Sequence, residues 1–140
     1  MQTYNFKIAE LNIRIIFAES KKNSIKLLPS FAPFSTEECD GELFFQLTVY
    51  DQLSIVPKEE RKRIRNFDTG NGDTIVDKLE NGGYQYIIKD ITGADCCLLI
   101  TNKDFSDCRC ALNGNYNMRS FGLNNALMLI YAFAGAYKQT

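Results

Sequence analysis

At 140 residues, with 45% hydrophobic and 24% charged side chains, the sequence has the size and balance of one globular domain. Sixteen basic against seventeen acidic residues leave a net charge of −1, which excludes a global field that would gather nucleic acid or an anionic membrane surface. Histidine is absent, and with it go the commonest general base, any Ser-His or Cys-His pair and the usual nitrogen ligand of zinc.

The chain opens as a β-hairpin. Tyr4, Phe6 and Ile8 alternate with polar residues, the chain bends near Ala9-Glu10, and Leu11, Ile13, Ile15 and Phe17 repeat the period of a half-buried strand. A signal peptide is not expected in Met1 to Glu10, which alternates and has no apolar core followed by a small-residue cleavage site. After a polar stretch from Glu19 to Ser24, Pro29 and Pro33 limit the segment around Phe31 and Phe34 to a loop or a single helical turn. Leu43, Phe45, Leu47 and Val49 predict a third strand.

From Asp73 a meander is expected. Thr74–Glu80 and Tyr84–Ile91 flank Asn81-Gly82-Gly83, whose residues tolerate positive φ. Thr92-Gly93-Ala94 then leads into the apolar run Cys96–Thr101, which suits a central strand. A further turn at Asn102-Lys103-Asp104 leads to Cys108, Cys110 and Leu112 on one face, and Asn113-Gly114-Asn115 ends the sheet. From Phe121 to Tyr137, Leu123, Leu127, Ile130, Ala134 and Tyr137 fall at helical spacing, while Met128, Leu129, Tyr131 and Phe133 occupy the other faces. Such a helix is buried on several sides: either it fills the concave face of a curved sheet, or a further part of the protein packs on it. It is short for a membrane span and carries Asn124-Asn125. The expected fold is α+β, a mostly antiparallel sheet of hairpins and meander with one apolar C-terminal helix, residues 1–140 forming a single strand-rich domain.

Candidate chemistry is sparse. No stretch has the two-glycine, Lys-Ser/Thr spacing that cradles phosphate, so no nucleotide or other cofactor is expected to bind this chain. Asp68-Thr69-Gly70 has the triplet of aspartic proteases, but Arg65-Asn66 stands where that family has apolar residues, and a glycine-rich turn explains it better. Asp68, Asn71 and Asp73 suggest a calcium loop only until Gly70 and Gly72 are seen at its third and fifth places. Of five cysteines, Cys96 and Cys97 are adjacent and Cys108 and Cys110 are one residue apart, which is neither a disulfide framework nor a zinc spacing. Reduced core thiols without metal, in a cytoplasmic setting, are expected. The run Lys58 to Arg65 holds five basic and two acidic residues, follows Pro57 and has helical-turn potential. Its Lys58, Arg61, Lys62, Arg63 and Arg65 form either a patch for phosphate or an acidic partner, or a solvated face offset by Glu37, Glu38, Asp40 and Glu42.

The segment Leu123-Asn124-Asn125-Ala126-Leu127-Met128-Leu129-Ile130-Tyr131-Ala132-Phe133-Ala134, together with the Tyr4 to Ile16 hairpin, resembles the HPr serine kinase-like, phosphoenolpyruvate carboxykinase-like P-loop proteins of Bacteroides-type bacteria. In that family a strand-rich N-terminal region ends in such a helix, followed by a His-bearing strand and the phosphate-binding loop. None of the family's nucleotide- or metal-binding residues has a counterpart in these 140 residues. The resemblance therefore implies a non-catalytic N-terminal accessory domain of a longer protein, packed on a C-terminal P-loop core. Without that core, these 140 residues are expected to pair as a homodimer with the helix at or near the contact; the alternative is a stand-alone module acting as a homodimer. In both readings Leu127, Tyr131, Phe133 and Tyr137 are the expected interface residues, with neither nucleic acid nor membrane as a partner.

Overall fold

The computed structural model describes residues 1–18, 20–37, 41–68 and 72–138. Strands β1 (Gln2–Ile8) and β2 (Leu11–Phe17) form the expected hairpin, closed by Ala9 and Glu10 at φ 53° and 66°. Positive φ at both central residues gives the turn a twist that matches the strands it joins. The chain then makes two 3-10 turns, Ile25–Leu27 and Pro29–Phe34, before the two-residue strand β3 (Ser35–Thr36) and the strand β4 (Leu43–Tyr50). Strands β5 (Arg61–Asp68), β6 (Asp73–Leu79), β7 (Tyr84–Lys89), β8 (Asp95–Thr101) and β9 (Cys108–Leu112) follow, and helix α1 (Tyr116–Lys138) ends the described chain.

The nine strands of the described residues lie in one sheet, ordered β3-β1-β2-β4-β9-β8-β7-β6-β5. Six of its pairings are antiparallel, as expected, and β5 to β9 form an unbroken meander. The β2–β4 and β4–β9 pairings are parallel, which makes the sheet mixed at its centre. Parallel neighbours need a long crossover, and the 3-10 turns between β2 and β4 supply part of it.

Helix α1 lies across one face of this sheet. The stripe expected from spacing is buried there: Leu123, Leu127, Ile130 and Ala134, joined by Gly122 and Ala126. Facing it are Phe45, Leu47 and Val49 of β4, Cys108, Cys110 and Leu112 of β9, and Cys97 and Leu99 of β8. Tyr131 reaches to one side, 5.5 Å from the Phe44 ring and 5.2 Å from that of Phe45. Phe133 reaches to the other, 5.1 Å edge-on to Tyr86 and 5.5 Å from Tyr84. Each fully buried Leu or Ile contributes roughly 1.5–3 kcal/mol to holding the helix down. The helix begins at Tyr116, five residues before the expected Phe121, because the Asn115 carboxamide accepts the Met118 N–H at 2.9 Å and so caps the first turn.

The basic run also differs from expectation. Only Lys58–Glu60 is a helical turn, and Arg61 onward is the edge strand β5. Between β4 and β5 the chain must cross from the centre of the sheet to its far edge, five strand spacings or roughly 24 Å. Residues 51–57 make the crossing on the face away from α1. The Val56 N–H donates there to Gln85 Oε1 at 2.7 Å, and Gln85 alternates with Tyr84 and Tyr86 of the helix side.

Candidate docking groove

Where the chain returns from β2 toward β4, Pro29 and Pro33 hold a 3-10 turn that leans against α1. Phe31 fixes the turn from below, its ring 5.5 Å edge-on to Phe6 of β1. Between turn and helix lies a groove of about 630 Å³, lined by Ile8, Ser30, Phe31, Phe34, Asn124, Leu127, Met128, Tyr131 and Ala132. The lining is almost wholly apolar. Asn124 folds its amide back onto the helix, donating to the Ser120 carbonyl at 2.8 Å. On the rim, Met128 is 67% exposed and Phe34 45% exposed. Scattered exposed apolar side chains are ordinary; here they are gathered into one contiguous concave set.

The structure divides the four expected interface residues. Leu127 and Tyr131 line the groove, Leu127 as part of its buried floor. Phe133 lies on the opposite flank of the helix among Tyr84 and Tyr86, and Tyr137 is 41% exposed near Phe105, 6.3 Å between rings. Met128, Ala132 and Phe34, absent from the expected set, complete the surface. Met128 was visible in the sequence as an apolar residue off the core stripe. Phe34 carried no such signal, because its neighbours in the groove are distant in sequence.

The Tyr131 hydroxyl is buried and has no hydrogen-bond partner among the described residues, as is that of Tyr86. Burial pushes the Tyr131 phenol up to about 12 and raises Tyr86 further, burial again being the first cause. A buried unpaired hydroxyl costs about 1–3 kcal/mol. Tyr131→Phe and Tyr86→Phe are therefore each expected to stabilise the domain, by about 1 kcal/mol, in urea unfolding. A loss of stability in both would show that the hydroxyls are satisfied in solution.

Two larger concavities, of about 860 and 960 Å³, have more polar linings. At the ends of β2 and β4, Arg119 donates to Asn23 Oδ1 at 2.8 Å and to the Gly114 carbonyl at 2.6 Å, while Asn23 donates to Asp51 at 3.2 Å. This chain of bonds ties the 20–24 loop to β4 and to the start of α1. Beneath the crossing segment, Asp95 pairs with Lys89 at 2.7 Å.

The five expected basic residues do not form one patch. Lys58 stands in the 3-10 turn, and Arg61 and Arg63 both turn onto the buried carboxylate of Asp77, each at 3.1 Å. Lys62 and Arg65 fall on the other face of β5, where the Arg65 guanidinium lies 4.9 Å over the Phe67 ring. Of the protease-like triplet, Asp68 ends β5 opposite Asp73, while Thr69, Gly70 and the Asn71 of the calcium reading lie outside the described residues.

Four cysteines are buried; Cys39 lies outside the described residues. Strands β8 and β9 are neighbours, so Cys97, Cys108 and Cys110 do share a face, in the register Cys97↔Leu112, Leu99↔Cys110 and Thr101↔Cys108. A hydrogen bond with Cys110, reinforced by burial, holds the Cys97 thiol well above its usual range. Burial lifts Cys96 to about 11 and Cys108 higher still. Among the described residues no group of His, Cys, Asp or Glu is placed to hold a metal ion, and no helix is long and apolar enough to cross a membrane.

No protein-family model, no curated protein and no solved structure matches this chain.

Proposed function

We propose that this chain is a non-catalytic accessory domain that packs on a second folded body through the groove between α1 and the 29–34 turn. Following the resemblance of 123–134, that body is the P-loop core of an HPr kinase-like protein, whose substrate or partner access the domain shapes. The observation that carries the reading is the apolar concavity itself, with Met128 and Phe34 exposed on its rim. Burying side chains of this size recovers roughly 1.5–3 kcal/mol each. The alternative occupant is a second copy of the chain, supported by the same rim.

One substitution separates the readings. Met128→Lys places a charge on an exposed helical position, so the fold is expected to survive. If a P-loop core is the occupant, the gene reads on into a phosphate-binding loop, and Met128→Lys weakens binding of the domain to the separately expressed core by about tenfold or more. If a second copy is the occupant, the isolated domain sediments as a dimer that the substitution dissociates. Unchanged core binding and unchanged sedimentation in Met128→Lys would remove the groove from both.

A further inference from the structure

Strand β5 is the last strand of the sheet. It pairs with β6 on one side, and among the described residues no strand lies on the other. The edge is eight residues long, and residues 62–66 are all exposed. An open edge presents unpaired N–H and C=O groups to any chain that can lie along it. Here Lys62, Arg63 and Arg65 put cations on both faces of that edge, with the exposed Ile64 at a bulge between Arg63 and Arg65. Lys62 sits directly opposite Lys78 of β6, a like-charge pairing that weakens a sheet. Lys78 relieves it by turning onto Tyr84, with Nζ 3.1 Å from the hydroxyl and 4.3 Å above the ring. Lys62 and Arg65 are left without a carboxylate partner among the described residues, and Arg63 is 54% exposed despite its bond to Asp77.

We propose that the open edge of β5 accepts an extended acidic segment of another protein as a tenth strand. Its backbone completes the ladder, and its carboxylates, alternating along one face, meet Lys62 and Arg65 on the face those two share. Three features select this occupant. A second copy pairing β5 with β5 would bring together two strands that each carry Arg61, Lys62, Arg63 and Arg65 against the single carboxylate of Asp68, a net repulsion. An apolar strand would leave the cations without partners. A nucleic acid has no peptide backbone and would leave the ladder groups of the edge unpaired. The surface is separate from the α1 groove, so either can be correct without the other.

The probe is an eight-residue fluorescent peptide alternating Glu with Val and Thr, matched to the eight residues of β5 and titrated at low salt. Saturable binding is expected, with amide shifts confined to residues 61–68 and their β6 neighbours. Lys62→Glu with Arg65→Glu should weaken binding by about tenfold or more. Lys62→Gln with Arg65→Gln, which adds no charge, should weaken it less. Both positions are exposed, so circular dichroism should show an unchanged fold. Met128→Lys should leave the affinity unchanged. A peptide of the same charge with alternate residues replaced by proline, which cannot donate to a ladder, should bind at least about tenfold more weakly. Absence of saturable binding would overturn the proposal. So would equal binding of the proline peptide or of a short oligothymidylate, or shifts that map to the α1 groove.

Discussion

Asp77→Ala is expected to lower the unfolding free energy by about 3 kcal/mol, the low end of the cost of breaking a buried ion pair. Asp77 is fully buried and receives Arg61 at 3.1 Å, Arg63 at 3.1 Å and the Gln85 amide at 3.3 Å. Gln85, equally buried, spends its oxygen on the Val56 N–H, and Arg61 holds the Val56 carbonyl at 2.8 Å. One carboxylate therefore organises both the edge strand and the end of the segment that crosses the sheet. Its removal leaves Arg61, only 18% exposed, and Gln85 with unmet donors in a dry site. Arg63, 54% exposed, can turn to water, which keeps the loss from reaching the upper end of the range. Asp77→Asn keeps the shape and one acceptor and should cost about half as much. The local signature is faster hydrogen exchange at the Val56 amide under native conditions. Urea unfolding of Asp77→Ala within about 1 kcal/mol of the parent would show that the cluster bears little of the fold.

The same cluster shows where sequence reading stops. Elements built from local signals were legible: the hairpin across Ala9-Glu10, the meander turns at Asn81-Gly82-Gly83 and Thr92-Gly93-Ala94, and the buried stripe Leu123, Leu127, Ile130, Ala134. Each rests on period or on turn chemistry within a few residues. Strand β5 was not legible. Four of its first five residues are Arg or Lys, which reads as a solvated turn, and what makes it a strand is an aspartate on β6 that meets Arg61 and Arg63 from across the ladder. The parallel pairings of β4 were hidden for a related reason, since alternation in Leu43–Tyr50 specifies a half-buried strand but not its neighbours. For the groove, helical spacing reached Leu127, and the apolar residues on the helix's other faces pointed to Tyr131. Phe31 and Phe34 belong to it only because the 29–34 turn happens to lean on α1.

The helix that forms one wall of the groove is held at a distance set by a single glycine, and this gives the second large effect. A Cβ at Gly122 would lie 2.8 Å from the Cys96 carbonyl oxygen and 3.0 Å from the Cys97 Cβ. Neither can yield easily, because β8 is paired with β7 on one side and β9 on the other. Glycine inside a helix costs about 1 kcal/mol relative to alanine, and here that cost permits the close approach of α1 to the sheet. Gly122→Ala gains the helix propensity but must lift the helix, for a net loss of about 1 kcal/mol; Gly122→Leu cannot be accommodated without moving α1 and should lose about 3 kcal/mol or more. Gly135 is the internal control. It lies in the same helix, a Cβ there meets nothing within 4 Å, and Gly135→Ala should stabilise by up to about 1 kcal/mol. The groove responds in parallel. Leu127, Met128 and Tyr131 lie one to three turns beyond Gly122, so lifting the helix draws them away from Phe31 and Phe34. Gly122→Ala should therefore weaken docking at temperatures where the domain is still folded, whereas Gly135→Ala should leave docking intact. If the two glycines respond alike in both unfolding and docking, the spacing between α1 and β8 is not what shapes the groove.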